Sequence, residues 1–413
     1  MIFLSITGSW TAAVIYDRRE KRRIQQKWTK LVEHISKETL DEHQMPRKLT
    51  VYISAPPADG LVPARDHFNE YVKPILVAAA LDWDAIEGRR EGDVRAGLAE
   101  RIRRLRARRG EPILEHRQPD VQDLIDETRQ RAGIREWDGH GGDVVIGRHT
   151  WKEYVRGLHE GWLGPLDPPA PLVEETQTLA PGAEPAAVEA GGGLSQPSAN
   201  NTSPTAAPEP FKQEESEKAK EEDKKPKKKI QAPPFNTTED YEASPLSPNC
   251  PLALGPSTVI SLPHLLGFLN FPIRMHRFLN RRKVADEIGR QTAAAVLGAY
   301  RPFHTSAETT ALSDEDSINS STWEQDRLLV HEESEWHKTA RERKGNEQEE
   351  RVWLDKMVID ARIGERMRKF ELEAEIEERA KSTPLGSGVS WFTSLWPEKP
   401  EKKPWQGLTD DVD

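Results

Sequence analysis

Short apolar runs rich in β-branched and aromatic residues alternate along this chain with segments whose apolar residues recur every three or four positions. The strand-like runs cover residues 49–54, 83–87, 144–147 and 259–262. Such alternation favours a parallel sheet with helices on both faces, because a parallel connection needs room for a crossover helix. The sequence therefore predicts an α/β fold with a Rossmann-like sheet.

The helix-like segments between these runs carry further signals. Within residues 61–81, Pro74 predicts a kink, because proline cannot donate the backbone hydrogen bond of a helix interior. Asp93 is placed as the N-cap of a helix over residues 93–110. The apolar stripe of that helix is formed by Val94, Leu98, Ile102 and Leu105.

The N-terminus has an apolar segment followed by a charged one. Residues 1–16 carry no charge, whereas residues 17–23 carry five basic and two acidic side chains. Sixteen helical residues rise ~24 Å, less than the ~30 Å of a bilayer core. A cleaved signal peptide would have its basic residues before the apolar run. We therefore interpret residues 1–16 as a partial transmembrane anchor, with a buried N-terminal helix as the alternative.

An amphipathic helix is predicted to follow the anchor. It occupies residues 17–45 as a juxtamembrane segment, and the first part of the α/β domain covers residues 46–166. The apolar positions of the juxtamembrane helix are Ile24, Trp28, Leu31 and Ile35.

A biased segment divides the α/β domain. Residues 167–256 are rich in Pro, Ala, Gly, Ser, Glu and Lys, and they cannot bury enough apolar surface to offset the entropy of ordering. We predict a disordered linker there, with residues 257–305 as the second part of the domain. Residues 320–380 are predicted to be charged and mostly helical, and residues 381–413 to be a flexible tail. The aromatic residues that are candidates for docking this tail are Trp391, Phe392 and Trp396.

Composition narrows the functional classes. The net charge of −10 argues against nucleic acid as a partner. The single cysteine, Cys250, excludes an intramolecular disulfide framework and a multi-cysteine zinc site. Its loop-like surroundings favour an inert thiol.

Two segments contain residue types used in catalysis or phosphate binding. The turn 55–60 follows a strand and precedes a helix, as phosphate-binding loops do, but it has one glycine, and two prolines that lack N–H groups. His140, Asp143 and His149 lie around another strand without a recognisable nucleophile motif. We predict an ordinary turn at the first segment and a glycine-rich turn with a solvated His140 at the second. No catalytic, cofactor-binding or metal-binding residue is assigned, and no cofactor is predicted.

Residues 93–110 include seven arginines. Clustered arginines bind phosphates or carboxylates, so this helix is a candidate contact for anionic lipid or a partner. The simpler interpretation is a solvated helix face whose arginines pair with the many acidic residues of the chain.

The order of strands and loops is similar to that of diacylglycerol and sphingosine kinases. The segments VYISAPPADG, DAIEGRREGDVRAGLAE, VVIGRHTWKEYVRGL and VISLPHLLGFLNFP occur in the order of the strands and loops of those kinases. The phosphate-binding glycines and the paired Asn-Asp of the kinases are missing. The similarity implies a degenerate kinase-like fold. It keeps open, as the alternative function, a lipid-kinase-like enzyme or a catalytically dead relative that binds nucleotide or anionic lipid.

A longer resemblance points to one family. The segments VYISAPPADGLVPARDHFNEYVKPILVAAALDW, GDVVIGRHTWKEYVRGLHEGWLGPL, HLLGFLNFPIRMHRFLNRRKVADEIGRQTAAAVL and WLDKMVIDARIGERMRKFEL resemble the fungal Tim54 family. Members of that family are subunits of the carrier translocase, the TIM22 complex, of the mitochondrial inner membrane. The resemblance covers roughly residues 1–165 and 255–380.

The resemblance implies a non-enzymatic scaffold with one N-terminal transmembrane helix and a large domain in the intermembrane space. It implies several partners: the channel-forming and other membrane subunits, the small Tim chaperones, carrier precursors, and an AAA protease of the intermembrane space. The positive-inside rule instead places the charged residues 17–23 in the matrix. We follow the resemblance, since large domains obey sorting machinery as well as flanking charge.

Overall fold

One sheet contains strands from both sides of the predicted linker. The computed structural model describes residues 2–112, 121–135, 137, 139–168, 233–305, 323–341 and 350–382. Within these residues the strands are β1 (Lys48–Ser54), β2 (Asp82–Gly88), β3 (Asp143–Ile146), β4 (Pro256–Ile260), β5 (Tyr300–Pro302) and β6 (Arg368–Phe370). Their order is β2-β1-β3-β4-β6-β5, and every neighbouring pair is parallel except β5 with β6. The predicted α/β fold with a mainly parallel sheet is confirmed.

Helices connect the parallel strands, and shorter helices follow the sheet. The numbered helices are α1 (Ile2–Val32), α2 (Val62–His67), α3 (Lys73–Ala78), α4 (Asp93–Arg108), α5 (Val121–Arg131), α6 (Arg148–Leu163), α7 (Phe271–Phe278) and α8 (Arg281–Leu297). The remaining short helices are Glu33–Lys37, Phe68–Val72, Glu239–Tyr241, Glu324–Arg327, Val330–Glu335, Lys338–Arg341, Ala361–Gly364 and Ala374–Ser382.

The core has one layer of helices on each face of the sheet. Val51 and Ile53 point into the cluster formed with α1, α2, α3 and α8. Tyr52, between them in sequence, points into the second cluster, formed with α4 and α6. This alternation follows from the two-residue period of a strand, and it requires every central strand to be apolar on both faces.

Helix α1 runs without a break through the border between the predicted anchor and the predicted juxtamembrane helix. Its 31 residues span about 46 Å. Trp28 and Val32, near its C-terminal end, are buried against the domain, and a short 3₁₀ turn ends at Lys37. The predicted helix 17–45 was therefore too long at its end. Among the described residues, no helix is both long enough and apolar enough to cross a membrane.

Pro74 interrupts the helix that contains it, as predicted. A π-helical turn, Phe68–Val72, separates α2 from α3, and Pro74 occupies the first turn of α3. Because proline lacks an N–H, the carbonyl of Glu70 loses its usual donor four residues later. The side-chain amide of Gln25, on α1, donates to that carbonyl at 2.8 Å instead. The carbonyl group freed by the break in the helix thus accepts a hydrogen bond from α1.

Two predicted segments differ from the structure. Residues 233–256, assigned to the disordered linker, pack on the domain: Tyr241 is buried and stacks on His159, with ring centroids 5.0 Å apart. Within residues 320–380, the described parts form short helices and β6 instead of a mostly helical region, because β6 completes the sheet beside β4. Linker residues 169–232 and tail residues 383–413, including Trp391, Phe392 and Trp396, lie outside the described residues.

Candidate functional site

The ligand-binding position of an open α/β sheet lies between β1 and β3. The connection after β1 packs on one face of the sheet and α6, after β3, packs on the other. Open sheets bind ligands in the crevice outside the carboxyl ends of two such strands. The candidate site is therefore the edge of the sheet where Ser54 ends β1 and Gly147 follows β3.

His149 and Trp353 fill this crevice. The Nε2 atom of His149 lies 3.1 Å from the carbonyl oxygen of Ser54, so the imidazole bridges the ends of both strands. Trp353 packs edge-on against His149, with ring centroids 5.6 Å apart. Burial lowers the pKa of His149 to about 4, so the ring is neutral near pH 7. A neutral imidazole packed between the ends of two strands has a structural role.

A carboxylate of the chain occupies the anion position at the N-terminus of α6. Glu332 is buried, and its Oε2 accepts a hydrogen bond from the Arg148 N–H at 2.8 Å. Its Oε1 accepts one from the Leu262 N–H at 2.7 Å, at the end of β4. Free N–H groups at a helix N-terminus are where phosphates bind in α/β folds. Glu332 thus takes the place that a ligand phosphate would need.

The charge around Glu332 is balanced within the chain. Arg148 donates to Glu333 Oε1 at 2.7 Å, to the Leu328 carbonyl at 3.0 Å and to Asp326 at 3.2 Å. Burial raises the pKa of Glu332, whereas its two backbone donors and the nearby Arg148 guanidinium lower it and so favour the charged carboxylate. The segment 326–333 is therefore anchored to the sheet edge by a dense polar network.

The other residues considered for catalysis are separated from one another. His140 is exposed and contacts Tyr300 before β3 begins. Asp143 is the first residue of β3 and accepts the Tyr154 hydroxyl at 2.7 Å. His149 lies beyond the opposite end of that strand. Four strand residues span roughly 13 Å, so these three side chains form no common site.

The turn 55–60 is a connecting turn, as predicted. Its backbone closes on itself through the Asp59 N–H and the Pro56 carbonyl, 3.0 Å apart. Ala58 adopts φ 70°, a left-handed conformation that a residue with a side chain rarely adopts. The side chain of Asp59 turns back to the N–H of Gly60 at 2.7 Å.

Asp93 was predicted as the N-cap of α4, and this was wrong. Its carboxylate accepts from the backbone N–H groups of Arg89 and Arg90, at 3.0 and 2.9 Å. The first turn of α4 is instead capped from α6: Glu153 Oε2 accepts the Val94 N–H at 3.0 Å. Such a cap cannot be read from local sequence, because donor and acceptor lie on different helices.

Some arginine side chains of helix α4 are buried, whereas we predicted that its arginines would lie on a solvated face. Arg95 and Arg103 are buried and both pair with the buried carboxylate of Glu160 on α6, Arg103 at 2.5 Å. Arg101 donates to Thr50 Oγ1 at 2.9 Å. The two helices approach closely because Gly161 has no side chain: a Cβ there would lie 2.7 Å from Ile102. Arg95 and Arg103 thus hold α4 to α6, whereas Arg101 holds α4 to β1.

A surface groove opens beside α7. It has a volume of about 770 Å³ and lies between α2, the loop after β4, α7 and the helix Val330–Glu335. Acidic and basic groups line it together, including Asp66, Glu70, Arg274 and Arg277. The groove adjoins the Glu332 network, because Glu335, on the same short helix, pairs with Arg277 at 2.7 Å.

Comparison with known families identifies the chain. Residues 1–370 match the model of the Tim54 family, described as an inner membrane protein import complex subunit. The chain belongs to the Tim54 family. It is thus a subunit of the mitochondrial inner-membrane import complex.

Fungal members of the Tim54 family resemble this chain over nearly its whole length. The mitochondrial import inner membrane translocase subunit tim54 of Aspergillus fumigatus is 48% identical, over 96% of this chain and 94% of the relative. The Aspergillus oryzae protein of the same name is 45% identical, over 99% and 91%. The Saccharomyces cerevisiae subunit is 26% identical, over 90% of each chain.

Sequence reasoning missed the two carboxylates that matter most in this Tim54-family chain. Glu153 lies between Lys152 and Tyr154 in α6, and Glu332 lies in a charged segment that gave no strand or loop signal. Glu332 reaches a partner 184 positions away in sequence. A local pattern cannot reveal such a contact.

Proposed function

We propose that this Tim54-family chain is a non-enzymatic, membrane-anchored scaffold subunit of the carrier translocase, the TIM22 complex. It stabilises the complex that inserts multi-spanning carrier proteins and docks chaperone-bound precursors. The observation that carries the scaffold role is the Glu332 contact with Arg148, because it puts a protein carboxylate where an enzyme of this fold would bind its phosphate. The outer surfaces of the domain are then the functional ones.

The proposed topology has one membrane pass and the α/β domain in the intermembrane space. Phe3, Leu4 and Ile6 of α1 are 76%, 69% and 62% exposed, so the N-terminal end of the helix presents an apolar surface to its surroundings. Its C-terminal half is fixed in the domain by Trp28, whose indole donates to Asp286 at 2.9 Å. One rigid helix would thus hold the domain at the surface of the inner membrane.

The proposed partners follow from the resemblance to the family. They are the channel-forming and other membrane subunits of the translocase, the small Tim chaperones, carrier precursors, and an AAA protease of the intermembrane space. The groove beside α7 supports a docking role, because its mixed charges suit the polar surface of a folded partner.

Deletion of residues 49–165 tests the scaffold role. The deletion keeps α1 but removes β1 to β3, so we expect the translocase to dissociate on a native gel of mitochondrial membranes. The control is carbonate extraction of the same mitochondria, which must show that the shortened chain remains in the membrane. A translocase of normal size with the shortened chain in it would overturn the proposal.

Protease protection tests the topology separately. A C-terminal tag should be digested only after the outer membrane is ruptured, if the domain faces the intermembrane space. Survival of the tag until detergent is added would put the domain in the matrix, as the flanking charge suggests.

The alternative, a lipid-kinase-like protein that binds nucleotide, has a direct test. Calorimetric titration of the full chain in detergent with ATP and Mg²⁺ should give no heat of binding while Glu332 holds the N-terminus of α6. Saturable binding would restore the kinase-like hypothesis.

A further inference from the structure

The residues after β4 form a segment of unusual composition. Residues 264–283, HLLGFLNFPIRMHRFLNRRK, contain five Arg or Lys and no Asp or Glu, and we call them the basic-apolar segment. The segment comprises the loop before α7, all of α7 and the start of α8. Apolar residues mixed with basic ones, without acidic ones, are typical of helices that lie in a membrane interface.

The apolar side chains of this segment are exposed. Phe268 and Leu269 are 90% and 91% exposed, side by side at the tip of the loop. All eight residues of α7 are described, and none of them is buried. Phe271 and Ile273 on this helix are about half-exposed. A contiguous apolar surface of this kind marks an interaction site, since water solvates it poorly.

The basic-apolar segment contacts α1 both within its uncharged part and at the border with its charged part. Trp10 stacks on Phe278, with ring centroids 6.5 Å apart and planes 7° from parallel. Arg282 pairs with the buried Asp17 at 3.3 Å, and its guanidinium lies 5.3 Å from the ring centre of Tyr16. Leu269 is nine residues before Phe278, so it lies within roughly 20 Å of this border.

Basic groups surround the same border. A cleft of about 290 Å³ between α1 and the start of α8 is lined by Arg18, Lys21, Arg22 and Arg281. Glu70 and Asp17 also line it, and Lys21 pairs with Glu70. The basic residues outnumber the acidic ones by two, which favours an anionic group at the mouth of the cleft.

We propose that the basic-apolar segment is a second membrane contact, docked on the surface of an anionic phospholipid bilayer. Phe268 and Leu269 enter the boundary between headgroups and acyl chains, while Arg274 and Arg281 face the lipid phosphates. The inference rests on the proposed anchoring by α1 for its orientation. Together the two contacts would fix the tilt and rotation of the domain on the membrane, which one helix alone leaves free.

Fluorescent labels at single cysteines test this contact in the full chain. Cys250→Ser removes the single native thiol, and Leu269→Cys, Ile6→Cys and Leu252→Cys then each carry an environment-sensitive NBD label. The proteins are reconstituted into phosphatidylcholine vesicles with or without cardiolipin, and quenching by brominated lipid is measured. We expect quenching of the Leu269→Cys label with cardiolipin and none at Leu252→Cys, an equally exposed position on another loop.

The Ile6→Cys label separates this inference from the proposed anchor. Quenching at position 6 without quenching at 269 would keep the anchor and overturn the second contact. Quenching at 269 without quenching at 6 would support the second contact and overturn the anchor. A label at 269 that is shielded before lipid is added would show that another part of the chain covers the loop, and this too would overturn the inference.

Charge variants test the lipid chemistry. An arginine near an anionic surface strengthens docking about fivefold, so the double variant Arg274→Gln and Arg281→Gln should weaken it roughly 25-fold and abolish most of the quenching at 269. Arg131→Gln, on an exposed face of α5, is the matched control and should leave the quenching unchanged. Equal quenching in vesicles with and without cardiolipin would contradict the anionic-lipid assignment.

Discussion

Glu332 accepts a hydrogen bond from the backbone N–H of Arg148, at 2.8 Å, and so joins the C-terminal part of the chain to the first turn of α6. The contact spans 184 positions in sequence. Because the same carboxylate also binds the Leu262 N–H, it connects the ends of two parallel strands. The edge that binds ligands in other α/β proteins is here a joint of the fold.

Replacing Glu332 should destabilise the domain strongly. Glu332→Ala leaves two buried N–H groups, those of Arg148 and Leu262, without an acceptor, and each costs about 1–3 kcal/mol. We expect a loss of about 2–6 kcal/mol in the free energy of unfolding, measured by urea denaturation of the detergent-solubilised chain. Glu332→Gln keeps one acceptor oxygen and should lose less. Equal stability of wild type and Glu332→Ala would contradict the assigned hydrogen bonds.

Removing Glu160, the buried carboxylate between α4 and α6, should destabilise the domain to a similar extent. Glu160→Ala leaves the buried guanidinium groups of Arg95 and Arg103 without their shared acceptor, at a cost of about 3–5 kcal/mol. The matched control is Glu33→Ala, which breaks an exposed pair with Lys37 and should change the stability by less than about 1 kcal/mol. Thermal unfolding followed by circular dichroism compares both variants. Similar melting temperatures for the two would refute the structural role of the arginine-rich helix.

The contact between α1 and α8 depends on a glycine. A Cβ at Gly289 would lie 2.2 Å from Trp28 Cδ1, so Gly289→Ala should force the helices apart and cost about 1–3 kcal/mol. Gly97→Ala is the control: nothing lies within 4 Å of a Cβ at this position in α4, and alanine should stabilise the helix by roughly 0.5–1 kcal/mol. Urea denaturation measures the change in the free energy of unfolding for each variant, and the two changes should have opposite signs. Stabilisation by both substitutions would mean that α1 does not pack on α8 as described.

Acid should destabilise the domain through His159. Its Nε2 accepts the Asp360 N–H at 3.0 Å, so the ring is neutral and its Nδ1–H donates to the Val155 carbonyl at 2.8 Å. Burial lowers the pKa of His159 to about 4, against about 6.5 in the unfolded chain. Between these values the unfolded state binds the extra proton. The stabilisation is therefore complete above pH 6.5 and is lost as the pH falls towards 4, by up to about 1.4 kcal/mol per pH unit.

The variant His159→Gln removes this titration. Its free energy of unfolding, measured from pH 7 to 4, should depend on pH with a slope smaller by one proton than that of the wild type. His149, with the same direction of shift, retains its own contribution to the slope. Identical slopes for wild type and His159→Gln would show that His159 is solvated in the folded state.

Local patterns in the sequence were sufficient to predict the α/β class, the central strands and the break at Pro74. These features depend on periodicity and on proline chemistry, which act over a few residues. The family was also readable from sequence, since the similarity extends over most of the chain. The exact end of the linker could not be predicted from sequence. Residues 233–256 have a loop-like composition and are ordered only by contacts such as that of Tyr241 with His159.

Only the tertiary structure decided which charged residues are internal. Arg95 and Glu332 look like surface residues in sequence, and each is buried because a partner from a distant segment offsets its desolvation. Likewise, the exposure of Phe268 and Leu269 contradicts their apolar character. Periodicity indicates which side chains of one segment share a face, whereas burial depends on which other segments pack against that face. The sequence therefore determined the elements of this protein, and long-range contacts determined its sealed crevice and its open apolar face.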